Sequence, residues 1–170
     1  MLADLRDQPS EATVTFEACE SLGTVNLRGS GFASRDVEVR ELSARVGGAV
    51  DTVEVNVSGL AGFLLAKTVA AFSRRKAKDW YDIAFVLLHN DAGTPAAAAA
   101  LVRERFMDEM SAVRTALDDL RANFEHPDAQ GPRAYVRQMR TDHPDLDPAV
   151  LAADAVLAVG EFHRGLRNHT

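Results

Sequence analysis

Apolar and polar side chains alternate in the first third of the chain, over residues 13–16, 24–27, 37–39 and 53–57. A period of two sends successive side chains to opposite faces, so these runs are expected to be half-buried strands. Gly23, the Gly29-Ser30-Gly31 stretch and Gly47-Gly48 supply turn signals between them. Four short strands are few for a free-standing sheet. The region therefore reads as part of a small mixed or antiparallel sheet.

Beyond about residue 58 the apolar spacing becomes helical. Ser58 offers an N-cap, and Leu60, Phe63, Leu64, Val69 and Phe72 fall on one helix face. Residues 73–76 break the pattern, and a second helix is expected over 78–89 with Trp80, Ile83, Ala84, Leu87 and Leu88 inward. Thr94 before Pro95 marks a capped start, opening a helix over 96–110 that continues through 111–124. Residues 125–131 read as a loop, 132–139 as a short helix and 143–147 as another loop. Asp147 before Pro148 caps a final helix reaching about residue 166. Strands followed by helices predict an α+β fold. Residues 1–92 would form the sheet-bearing region and residues 93–170 a helical C-terminal region.

Composition narrows the function classes. The chain has 170 residues, 46% hydrophobic and 26% charged, enough for a packed core and one domain with at most a small appendage. With a net charge of −6, any nucleic-acid contact must use a local basic patch. Cys19 is the single cysteine, which excludes an intrachain disulfide. No leader pattern opens the sequence and no apolar run is long enough to span a bilayer, so a cytoplasmic protein without membrane contact is expected. His89, His126, His143, His163 and His169 lack paired metal-ligand spacing. Arg103, Arg105, Arg114, Arg121, Arg133, Arg137 and Arg140 alternate with Glu104, Asp108, Glu109, Asp118 and Asp119, the pattern of solvated helix faces.

The densest chemistry lies between the first two helices. Lys67, Arg74, Arg75, Lys76 and Lys78 are joined there by Asp79 and Asp82. A short turn folds the two helices antiparallel and brings Lys67 and Asp82 toward a common edge. Such cations suit a triphosphate or a nucleic-acid backbone, held by charge-assisted hydrogen bonds. The bland alternative is structural: Asp79 favours the positive end of a helix dipole, and Asp82 pairs with Arg75 or Lys78.

Leu65-Ala66-Lys67, then Arg74 or Arg75, then Lys78-Asp79-Trp80-Tyr81-Asp82-Ile83 resembles the AbiEii/AbiGii-type nucleotidyltransferase toxins. The likeness is close over about twenty residues and loose over residues 13–125. The resemblance implies a nucleotidyltransferase-like fold, with Lys67 and Asp82 catalytic and Lys67 on the nucleotide phosphates. Arg74, Arg75, Lys78 and Asp79 would belong to the surface that binds nucleotide or RNA phosphates. It further implies transfer of a nucleoside monophosphate from a nucleoside triphosphate to RNA, such as a tRNA 3′ end, with Mg²⁺ and with a cognate antitoxin as partner.

The resemblance also calls for a Gly-Ser turn followed by paired acids that bind the metal. Gly29-Ser30 with Asp36 and Glu38 is the candidate, and Asp36 and Glu38 would be the metal ligands. Five residues separate Ser30 from Asp36 and thirty separate Asp36 from Lys67, both tight for such a site. The simpler expectation is an edge strand with its acids facing water, in a chain that starts after the metal-binding half and is inactive. The alternative to an enzyme is a non-catalytic helical protein that binds an antitoxin or RNA. Val150, Leu151, Val156 and Phe162 would then supply its contact.

Overall fold

A computed structural model of the chain describes residues 2–5, 7–16 and 19–167. β1 (Leu2–Ala3) runs parallel to β3 (Cys19–Asn26), and β2 (Thr13–Phe16) pairs antiparallel on its other side, giving a mixed sheet in the order β1-β3-β2. β4 (Val37–Val46) and β5 (Ala49–Ser58) make a separate antiparallel hairpin. Its register runs from Val37 opposite Ser58 to Val46 opposite Ala49. Gly47 and Gly48 take φ of 59° and 91° at its tip, the left-handed pair that a two-residue turn requires. The α+β class stands. Two glycine signals act differently from expectation: Gly23 lies inside β3, and Gly29–Gly31 opens a short helix, α1 (Ser30–Arg35).

Side chains distant in sequence complete these local starts. The Asp4 carboxylate accepts hydrogen bonds from the backbone N–H groups of Gly29 (3.1 Å) and Gly31 (3.0 Å), at the N-terminus of α1. Asn26, fully buried, accepts from Leu5 N–H at 2.7 Å and donates to the carbonyls of Leu5, Gln8 and Pro9 at 3.0 Å. That one amide pins the loop between β1 and β2 to the end of β3.

α2 (Leu60–Arg74) starts at Gly59 instead of Ser58, and Gly59 has no side chain with which to cap it. Asp36 does so from 26 residues away: its Oδ2 accepts the Gly62 N–H at 2.8 Å. A Cβ on Gly59 would lie 2.6 Å from that oxygen, and one on Gly62 would lie 2.6 Å from the Phe32 carbonyl oxygen. Both glycines are therefore needed for α1 and the carboxylate to sit against the helix end.

α3 (Ala77–His89) follows after two residues. α4 (Pro95–Phe106) is capped by Thr94 Oγ1, which accepts from Ala97 N–H at 3.1 Å. A 3-10 turn at Met107–Glu109 separates it from α5 (Met110–Ala122), so the expected helix over 96–110 ends early. α6 (Gln130–Asp142) is longer than expected, and α7 (Pro148–Arg167) begins with Asp147 Oδ1 accepting from Ala149 N–H at 2.8 Å. No helix among the described residues is long and apolar enough to cross a membrane.

α2 to α7 enclose one apolar core running from Ala61 to Leu166, with Leu64, Leu65, Trp80, Ile83, Val102 and Phe162 inside it. This core crosses residues 92 and 93, where the sequence suggests a boundary. Phe72, expected inward, is 38% exposed. Leu151 and Phe162 are buried, so they do not form an exposed contact face with Val150. The β4–β5 hairpin stands apart, with Val39 and Val50 exposed on it and α1 as its main neighbour.

Removing the long-range cap should cost what an N-cap is worth. Asp36→Ala is expected to destabilise the fold by about 1–2 kcal/mol. Glu38→Ala, at an exposed position, should stay within about 0.5 kcal/mol of the parent chain. Urea unfolding of the two variants checks the contrast.

Candidate functional site

The sequence turns sharply from α2 into α3. Arg75, with φ of 54°, adopts the left-handed conformation that ends α2, and its N–H returns to the Ala71 carbonyl. Left-handed backbone is unusual for a residue with a side chain. Here the arginine has compensating contacts: its guanidinium meets Asp119 of α5 at 2.8 Å and lies 5.5 Å over the Phe72 ring.

Asp79 sits in the first turn of α3 and is 1% exposed. Arg74 grips it with two parallel bonds, Nε to Oδ2 and Nη2 to Oδ1, each 2.7 Å. Lys67 Nζ, two turns earlier on the same face of α2, donates to Asp79 Oδ1 at 3.2 Å and lies 2.6 Å from Asp82 Oδ2. Lys78 closes the row, 2.9 Å and 3.2 Å from the two oxygens of Asp82. The charges thus alternate in one row as Arg74, Asp79, Lys67, Asp82, Lys78, with Lys78 at its solvent end. Lys67 and Asp82 side chains are 21% and 13% exposed, while Lys78 is open to solvent.

Burial alone pushes the Asp79 carboxyl pKa up, but the hydrogen bonds and charge of Arg74, joined by Lys67, overcome it and leave the pKa below the ordinary value. The Arg74 pKa is raised, chiefly by the hydrogen bond to Asp79. Asp79 is therefore an ion that anchors the turn, with its oxygens already occupied.

The structure brings Lys67, Arg74, Lys78, Asp79 and Asp82 together at the α2–α3 edge. It turns Arg75 away to Asp119. Lys76 pairs with Glu11 of the segment before β2. The turn that reads as a cluster of bare cations thus has a carboxylate against each of them. Sequence reasoning missed Glu11 and Asp119, because pairings across 65 and 44 residues leave no local spacing to detect.

Asp36 and Glu38 do not converge on a metal-binding face. Asp36 is buried against the end of α2, with Arg105 at 4.0 Å, whereas Glu38 is exposed and pairs with Arg40 at 2.6 Å. Among the described residues no group of three or more His, Cys, Asp or Glu is placed to hold a metal ion. His163 is buried against Asp118 at 3.4 Å, and that burial chiefly lowers its pKa. His169 lies outside the described residues.

The family model of the nucleotidyl transferase AbiEii toxin, a type IV toxin–antitoxin system, matches residues 25–159. The chain belongs to this family. The matched region includes every residue of the alternating row. No curated protein and no solved structure matches the chain.

Asp79→Ala would leave Arg74 and Lys67 without their shared carboxylate, and a loss of about 3–5 kcal/mol in urea unfolding is expected. Asp79 also sets an acid dependence. Its folded-state pKa lies below the unfolded value, so its contribution is complete above the ordinary aspartate value of 3.8. It fades as pH falls through the depressed folded-state value. Unfolding midpoints of Asp79→Asn measured below about pH 4.5, in the carboxylate range, should accordingly fall less steeply with acid than those of the parent chain.

Proposed function

We propose that the chain acts as a nucleotidyltransferase toxin, moving a nucleoside monophosphate from a nucleoside triphosphate to an RNA hydroxyl such as a tRNA 3′ end, with pyrophosphate as the leaving group. The observation that carries this reading is the Lys67–Asp82–Lys78 row. It places two ammonium groups and one carboxylate at the edge of a packed helix pair, inside the region matched to the AbiEii family. Incoming phosphate oxygens would share Lys67 and Lys78 with Asp82, the two ammonium groups offsetting the charge of both anions. Asp82, still beside those cations, would orient the acceptor hydroxyl. Asp79 and Arg74 position Lys67 from the interior side and need not touch the nucleotide. Arg75, committed to Asp119, would contribute less to phosphate than Lys78.

Mg²⁺ is the ion that chemistry of this class employs. The acids expected to hold it do not fit the role, because Asp36 caps α2 and Glu38 pairs with Arg40. No step is therefore assigned to a metal held by these residues. The same observation favours a second reading, a binding protein that works with an antitoxin or RNA without catalysis.

Incubating the purified chain with radiolabelled nucleoside triphosphates, Mg²⁺ and total tRNA separates the two. Labelled RNA from the parent chain, reduced on the order of 10²-fold in Lys67→Ala and Asp82→Ala, is the expected outcome. A well-folded chain that binds no nucleotide by calorimetry and labels no RNA would leave only the binding role.

A further inference from the structure

A deep cleft neighbours the ion-pair row. It has a volume of about 1090 Å³ and lies between α6, the start of α7 and the start of α3. Its floor is made of small apolar groups, among them Ala77, Ala134, Pro148 and Ala152. Three arginines of α6, Arg133, Arg137 and Arg140, also line it, with Asp128 as the one acidic residue among the lining groups. Spaced by four and three residues, they share a helix face and rise about 6 and 4.5 Å along the axis. All three are exposed, and none has a carboxylate partner among the described residues, unlike the cations of the α2–α3 turn.

On a chain with a net charge of −6, three unpaired arginines beside one apolar floor are a specific electrostatic feature. We infer that this cleft docks a short acidic amphipathic segment of a partner protein. The partner's apolar side chains would enter the Ala/Pro floor and its carboxylates would take bidentate bonds from the α6 guanidiniums. A nucleic-acid strand fits less well. All three arginines stand on one wall, and the cleft is lined by no aromatic ring on which bases could stack, whereas single-strand grooves combine stacking platforms with a cationic track. An adjoining pocket of about 370 Å³ shares Ala77, Ala134 and Arg137 with the cleft and reaches Lys78, the outer partner of Asp82. A docked acidic segment would thus end next to the ion-pair row. This inference does not depend on the row being catalytic.

The test is selection of a displayed random peptide library on the immobilised full chain. The enriched peptides are then synthesised with a fluorophore and titrated by anisotropy. Enrichment of Asp and Glu together with apolar residues at three- and four-residue spacing is expected. Binding should weaken at least tenfold in the triple variant Arg133→Gln, Arg137→Gln, Arg140→Gln and also in Ala149→Trp, which fills the cleft without changing charge. The double variant Arg114→Gln, Arg121→Gln, outside the cleft, should bind as the parent does. Circular dichroism confirms that each variant is folded. Peptides without acidic bias, or binding indifferent to both cleft variants, would overturn the proposal. So would a labelled single-stranded RNA 12-mer that binds through the same arginines while no peptide does. Loss of RNA labelling by the parent chain would count against the proposed activity alone.

Discussion

A carboxylate with 1% of its surface exposed is costly to keep ionised without donors at contact distance, and Asp79 obtains both of its cations from one face of α2. The fork from Arg74 and the ammonium of Lys67 come from α2, while Asp79 opens α3. The ion cluster therefore fixes the angle and the register of the two helices together. It also hands Lys67 to Asp82, so the solvent end of the row at Lys78 is tied to the buried carboxylate of Asp79. Breaking a buried pair of this kind is costly because the remaining charge has no water to turn to. That cost helps hold the polar edge in one arrangement above the apolar core.

Much of this was legible from residue order. The 3.6-residue spacing and the two-residue break between Arg74 and Ala77 were enough to bring Lys67 and Asp82 to one edge. Thr94 and Asp147 announced their helices because capping is a local event, written within three residues. Asp36 was misread as a water-facing or metal-binding acid for the opposite reason. Its partner is a backbone N–H 26 residues away, and only the two glycines at positions 59 and 62 hint that something must approach closely there. Similarly, Arg74 and Arg75 are neighbours in sequence with opposite fates. The left-handed turn at Arg75 swings one guanidinium inward to Asp79 and the other outward to Asp119, a division no composition or charge count contains.

The AbiEii match and the geometry speak to different parts of the chain's chemistry. Membership rests on a region that includes the whole α2–α3 row. Of the acids nearest to a Gly-Ser turn, by contrast, Asp36 caps α2 and Glu38 pairs with Arg40 at the surface.

The β4–β5 hairpin gives that arrangement a mechanical dimension. It leaves the body at Asp36 and returns at Gly59, where the Gly59 N–H bonds the Asp36 carbonyl at 2.6 Å, so both ends of the ribbon meet at the start of α2. Ten residues of strand reach ~33 Å from that root. A ribbon of that length, hinged on the cap of the helix that carries Lys67, is a lever arm. Force or restraint applied at its Gly47-Gly48 tip would be felt first as torque on the first turn of α2.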